Sequence, residues 1–316
     1  MPSWKSAALN STSTGVAPES VQQFLRQLTS WWAAARPRTL TLAVSPVLAG
    51  TALGWAETGQ LRVPPAAAAL FAAVLIQVGT NLYNDAADFE RGTDGPDRLG
   101  PPRATAQGWL SAAAVKRGAL LCFALAFATG LYLAAVAGWE IFALGLLSLA
   151  AGYAYTAGPR PIAYGPTGEL FVLAFFGLAA VGGSYYLQTG RVGLNALAVG
   201  FGLGLPAAAI LLLNNYRDLD TDRRAGRRTL CHYLERSRAR QLFAALLIAP
   251  LVLAWWPDLP GLPWLILAAL PAALLLIRRL YRTAPSPALN AVLGNTAQYQ
   301  LLLALLLSVG LHLAPA

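Results

Sequence analysis

Long apolar stretches without charge set the limits on what this chain can fold into. Ala66 to Gln77, Ala119 to Ala137 and Leu301 to Leu313 carry no charged residue, and stretches of this kind, continued to about 20 residues, cross a bilayer as helices. The proportions agree: 56% of the 316 residues are apolar and 12% are charged, against roughly a quarter charged in an ordinary soluble domain. A single soluble globule does not fit them. In a soluble protein the formal charge of +9 would point to nucleic acid. Here the basic residues sit between apolar spans and report topology instead, so no nucleic-acid partner is expected.

Nine candidate spans follow from the hydropathy pattern, at about 39–57, 64–84, 118–137, 139–157, 168–188, 193–216, 241–257, 262–277 and 289–313. With a cytosolic N-terminus, 21 of the 23 Lys and Arg residues fall on the inner side and only Arg62 and Arg191 on the outer, a bias that fixes orientation. The fold class is therefore an all-α integral membrane protein, with its long polar loops facing the cytosol. Residues 1–20 are polar and without periodicity, and are expected to be a disordered tail. Val21, Phe24, Leu25, Leu28, Trp31 and Trp32 recur at helical spacing, which predicts a helix over 21–38 lying on the membrane surface. The first thirty residues lack the short apolar core of a cleavable signal peptide. Residues 39–316 read as one membrane domain.

The chemistry available is narrow. Cys122 and Cys231 are too few for a disulfide framework or a four-ligand zinc site, and His232 and His312 are the only histidines. The 14 acidic residues are unevenly placed: Asp85, Asp88, Glu90, Asp94 and Asp97 lie in one stretch, Asp218, Asp220 and Asp222 in another. On a helix Asn81, Asp85 and Asp88 share one face with Asn84 between them, and Asn214, Asp218 and Asp222 form a second stripe. Clustered carboxylates near a bilayer need an opposite charge, and hard oxygen ligands point to Mg2+, which fills its octahedron with waters and phosphate oxygens. Arg98, Arg103, Arg217, Arg223, Arg224, Arg227 and Arg228 flank the same places and can bind phosphate. Recurrence of the Asn/Asp-rich end after spans two and six points to an internal repeat.

These residues resemble a known family. Asn84-Asp-Ala-Ala-Asp88 with Asp94, and Asn214-Asn-Tyr-Arg-Asp218-Leu-Asp-Thr-Asp222, are similar to the two Asp-rich motifs of the UbiA superfamily of intramembrane aromatic prenyltransferases. The runs from Gly92 to Arg103, Tyr155 to Pro161, Tyr185 to Gly190, Ala35 to Thr39 and Asn290 to Gly294 look like its 1,4-dihydroxy-2-naphthoate polyprenyltransferase branch. The resemblance covers nearly the whole chain from about residue 31. It implies a nine-helix bundle around a central cavity, with a prenyl diphosphate held by Mg2+ between the motifs and its tail in an apolar channel open to lipid. It also implies an aromatic acceptor and decarboxylative transfer giving demethylmenaquinone. By this reading Asp85, Asp88, Asp218 and Asp222 are the metal ligands. Asn81, Asn84, Asn214 and Asn215 orient ligands or the diphosphate, and Arg98, Arg103, Arg160, Arg217 and Arg223 bind substrate. Many members have a third Asp where this chain has Gly92, and Asp94 is its substitute.

A dry aromatic lining would shield an allylic cation, and Tyr153, Tyr155, Tyr185 and Tyr186 are the candidates, Tyr155 first among them. Arg160 and Glu169 beside the Gly158-Pro159 break are placed to touch acceptor or diphosphate. Besides substrates and membrane lipid, no obligate protein partner is expected. Other aromatic acceptors (4-hydroxybenzoate, homogentisate) or a phytyl donor stay open. An ion-coupled transporter would also use Asp near broken spans, but at the bilayer midplane. Phospholipid head-group transferases carry an Asp-Gly followed by Ala-Arg, which Asp94-Gly95-Pro96-Asp97-Arg98 does not match.

Overall fold

The computed structural model describes residues 19–92, 98–158 and 161–313. Among the described residues there is no strand; the chain is a succession of helices. These are α1 (Glu19–Ala35), α2 (Thr41–Thr58), α3 (Val63–Glu90), α4 (Ala112–Ala137), α5 (Trp139–Thr156), α6 (Gly168–Leu173), α7 (Ala180–Thr189), α8 (Leu194–Arg224), α9 (Leu230–Ile248), α10 (Leu270–Arg282) and α11 (Leu289–His312). Each of the nine expected spans coincides with a helical stretch. Seven helical stretches among the described residues are long and apolar enough to cross a membrane. An eighth is added if α1 and α2, bent by 50° where they meet, count as one broken span. The protein is integral to the membrane. The tail expected at residues 1–20 lies, up to residue 18, outside the described residues.

The long helices explain where the motifs come to rest. With about 1.5 Å per residue, the 28 residues of α3 span roughly 42 Å and the 31 of α8 roughly 46 Å, against an apolar bilayer core of about 30 Å. About two to three turns of each must overhang, and those turns carry Asn84, Asp85 and Asp88 on α3 and Asn214, Arg217, Asp218 and Asp222 on α8. Both motifs therefore continue a spanning helix instead of occupying a loop, which gives their side chains a rigid footing.

Packing follows from small residues. An added Cβ on Gly177 would lie 2.4 Å from the Gly200 carbonyl of α8, and one on Gly50 would lie 2.3 Å from the Val181 carbonyl, so both positions bring helix backbones into direct contact. Between α6 and α7 the chain runs as a π-helix over Ala174–Ala179. This extra-wide turn faces both Phe175 and Phe176 into the interior. The largest apolar core gathers α8, α9, α10 and α11 around Leu203, Phe243, Ile266 and Tyr299. The α2–α7 half holds a cavity instead.

Candidate active site

The cavity has a volume of about 740 Å³. It extends along α3 from Ala69 to Asp88, nineteen residues or roughly 28 Å. Its depth is mainly apolar, with Phe127, Phe142, Phe171, Phe175 and Phe176 and with Tyr155 among its aromatic rings, and Trp32 and Trp109 line the cavity as well. Tyr155 stacks with Phe171 at 6.2 Å between ring centroids. Of the four tyrosines expected there, only Tyr155 lines it. Tyr153 is exposed, Tyr186 lies off the cavity, and Tyr185 donates to Glu57 Oε2 at the far end of the bundle. Tyrosine hydroxyls seek polar partners, so the apolar depth is left to phenylalanine. Phe127 and Leu146 line the cavity yet are 40% and 42% exposed, which marks an opening toward lipid between α4 and α5.

The mouth is polar and cationic. Arg36, Arg38, Arg98, Arg103, Arg217 and Arg227 line it, with Asn84, Asp85, Asp88, Asn214 and Asn215. Asp88 is 2% exposed and its donors include Arg227 Nη2 at 3.0 Å, Tyr164 Oη at 3.1 Å, Asn84 Nδ2 at 3.1 Å and Arg103 Nη2 at 3.2 Å. Arg227 also reaches Asp222 Oδ1 at 3.5 Å, so one guanidinium joins the ends of α3 and α8. Burial alone would lower the proton affinity of Arg227, but Asp88, Tyr164 and Asp222 outweigh it and raise the pKa above the ordinary value. Its charge is secure. The ring of Tyr164 lies under the same guanidinium at 4.1 Å.

Asn84 is the other centre. Its Oδ1 accepts from Arg36 Nη2 at 2.5 Å and from Arg103 Nη2 at 2.6 Å, and its amide donates to Asp88 Oδ2 at 3.1 Å and Thr156 Oγ1 at 3.3 Å. On α8, Arg217 clasps Asp218 through Nε at 2.7 Å and Nη2 at 2.5 Å. It also donates to Asn214 Oδ1 at 2.8 Å and Asn290 Oδ1 at 2.5 Å. Asn215 donates to Glu169 Oε1 at 2.9 Å within the bundle.

Several expected residues stand behind the lining, and two that line the cavity, Asn81 and Asp85, commit their side chains to backbone groups. Asp218 and Asp222 do not themselves line the cavity; they back the two arginines that do. Arg223 is exposed and does not line the cavity; Arg227, one turn later and after the left-handed Gly226 (φ 73°), is the arginine that the reversing chain returns to the mouth. Asn81 donates to the Ala35 carbonyl at 2.9 Å, which fixes the end of α1 and so the start of Arg36. Asp85 likewise holds backbone: its carboxylate accepts from the amides of Ala104 and Thr105 and from Thr105 Oγ1. Asp94 and Arg160 lie outside the described residues. Arg36, Tyr164 and Asn290 join the site through Asn84, Asp88 and Arg217 without any signal from carboxylate spacing, and the sequence feature that marks Arg36 is its place in the Ala35-Arg-Pro-Arg-Thr39 run.

Among the described residues no three His, Cys, Asp or Glu side chains converge on a point. The mouth nevertheless offers oxygen donors from Asn84, Asp88 and Asn214, with Asp218 and Asp222 directly behind the Arg217 and Arg227 guanidinium groups that ring it. That set suits a Mg2+ ion whose remaining positions are filled by phosphate oxygens, not a protein-only cage.

An arginine-ringed, oxygen-rich mouth above a long apolar pocket defines a membrane-embedded enzyme for an amphiphilic anion. The chain belongs to the UbiA prenyltransferase family, which matches residues 43–311, and it is a prenyltransferase; the transporter reading is thereby set aside. It is 34% identical to the 1,4-dihydroxy-2-naphthoate octaprenyltransferase of Haemophilus influenzae, over 90% of this chain and 96% of that one. With the Escherichia coli protein of the same name it shares 35% over 93% and 98%, and with the Bacillus subtilis one 31% over 96% and 98%. In fold it is similar to a UbiA homologue from Archaeoglobus fulgidus solved with DMAPP and Mg2+, with a TM-score of 0.60 at 16% identity over 87% of this chain and 99% of that one.

Proposed function

We propose that this enzyme transfers a prenyl group from a prenyl diphosphate to 1,4-dihydroxy-2-naphthoate with loss of CO2, giving demethylmenaquinone in its quinol form. The observation that carries the reading is Arg227 joining Asp88 and Asp222 over an apolar cavity roughly 28 Å deep. The names of the relatives supply the acceptor. Mg2+ would be held by Asn84 and Asp88 on one helix end and Asn214, Asp218 and Asp222 on the other. When bound it supplies charge stabilisation to the departing diphosphate.

The residues of the chain do the rest. Arg36, Arg103, Arg217 and Arg227 exchange their carboxylate and amide partners for phosphate oxygens. The C–O bond then breaks with its electron pair leaving on the diphosphate. The phenylalanines exclude water from the allylic cation until the naphthoate ring attacks through the carbon bearing its carboxylate. Loss of CO2 returns the bonding pair to the ring, so no proton need be removed from that carbon. The tail occupies the apolar depth and reaches lipid past Phe127 and Leu146.

This reading places nine spans in the membrane, α2 and α5 among them, with the N-terminus and the arginine-ringed mouth in the cytosol of a bacterium and the bundle in its inner membrane. Helix α1 exposes Phe24, Leu25, Leu28 and Trp32 and rests on the membrane surface. The test is an acceptor panel: purified protein in detergent, a prenyl diphosphate, Mg2+, and 1,4-dihydroxy-2-naphthoate, 4-hydroxybenzoate or homogentisate. Product from the naphthoate alone is expected. Product from another acceptor in its place would overturn the acceptor and keep the reaction class.

A further inference from the structure

Asp85 stands within an Asp-rich motif, yet its carboxylate is directed at the protein. Oδ2 accepts from the Ala104 amide at 3.1 Å, and Oδ1 accepts from the Thr105 amide at 3.0 Å and from Thr105 Oγ1 at 2.5 Å. Thr105 Oγ1 also lies 3.0 Å from the Asp85 carbonyl. The residue is 1% exposed. Three donors on two oxygens fix a carboxylate without any cation.

The residue before these donors is Arg103, which reaches Asn84 and Asp88. Further back, the same connection touches the second motif. The Leu99 carbonyl accepts from Asn290 at 3.0 Å, and a Cβ added to Gly100 would lie 2.9 Å from Arg217 Nη2. Residues 98–105 therefore cross the mouth from one Asp-rich helix end to the other, and the tie at their far end is Asp85.

We propose that Asp85 is a positioning residue and not a metal ligand: its carboxylate pins Ala104 and Thr105 to α3 and thereby sets Arg103 against the diphosphate. This rests on the prenyl diphosphate reading above. Arginine has a long stem whose ordering opposes binding, and a pinned backbone removes part of that cost before the anion arrives. Asparagine cannot substitute. Its single acceptor oxygen cannot serve both ends of the clasp, and its NH2 would face a backbone N–H.

The test compares Asp85→Asn, Thr105→Val, Arg103→Ala and the double variant Asp85→Asn/Arg103→Ala as full-length protein in detergent. Binding of inorganic pyrophosphate with Mg2+ is measured by calorimetry, and amide exchange at 104 and 105 by mass spectrometry. Asp85→Asn should speed exchange at both amides and weaken pyrophosphate roughly tenfold, as Arg103→Ala does. The double variant should bind no more weakly than Arg103→Ala alone, since one residue acts through the other. Thr105→Val leaves the carboxylate intact and should move binding in the same direction by less. Losses that multiply in the double variant, or Thr105→Val binding like the wild type, would overturn the proposal. If wild-type protein binds no pyrophosphate with Mg2+, the diphosphate reading fails; unchanged exchange in Asp85→Asn then sinks the clasp independently.

Discussion

Arg36 adopts φ 55° and ψ 64°, a left-handed conformation that costs an ordinary residue on the order of 1–2 kcal/mol. Its guanidinium lies on Asn84 at 2.5 Å, so the strain accompanies a contact at the centre of the mouth. Glycine tolerates this backbone, which separates the two effects. Arg36→Gly should leave the thermal midpoint nearly unchanged and raise KM for prenyl diphosphate roughly tenfold, whereas Arg36→Ala should raise KM alike and also lower the midpoint. Melting curves beside steady-state kinetics check both. Asp88→Asn and Asp222→Asn should each lower kcat/KM on the order of 10²–10³-fold. Asp220→Asn, exposed and paired with Arg236, should leave it unchanged. The spacing in the sequence put Asp88 and Asp222 on the right helix faces. It could not show that Arg227 lies between them, because that pairing joins residues 139 apart and leaves no trace in a periodicity. The same holds for Arg36 and Asn84, 48 residues apart.

The elements were legible where hydropathy governs and less so where backbone geometry does. Span 193–216 marked the membrane part of α8 and stopped short of the overhang to Arg224, since charged turns beyond the bilayer drop out of any apolar window. Spans 241–257 and 262–277 gave no sign of the 3-10 stretches Ala249–Trp255 and Pro263–Ala269. The π-helix at Ala174–Ala179 is equally invisible to hydropathy, and it sits where Gly177 meets the backbone of α8. Gly177→Ala should force α8 and the π turn apart and destabilise by about 1–3 kcal/mol, with loss of activity as Phe175 and Phe176 move. Gly182→Ala, where an added Cβ meets nothing within 4 Å, is the matched control. A chemical melt with an activity assay on both variants distinguishes them. Equal behaviour would detach the π turn from the cavity.

For the whole molecule, the family resemblance implies a cavity, and the tyrosine lining expected for it is only partly present. Aromatic tyrosines near span ends looked suitable, yet the polar handle of Tyr185 takes it to Glu57 and phenylalanines fill the interior. Charge separates the two ends: the mouth gathers six arginines, and the opposite end has the Glu57–Arg191 contact at 3.6 Å. With the proposed orientation, a cysteine introduced at Arg224 should react with an impermeant maleimide only after the cytosolic face is opened, and one at Arg191 should react in intact cells; the reverse would invert the topology. The account as a whole turns on whether prenyl transfer and decarboxylation are one metal-dependent event. The most direct measurement supplies 1,4-dihydroxy-2-naphthoate labelled at its carboxylate, with a prenyl diphosphate and either Mg2+ or EDTA. Labelled CO2 and unlabelled prenylated product should form in equal amounts with Mg2+ and not with EDTA. Prenylated product that keeps the label, or undiminished turnover in EDTA, would contradict it.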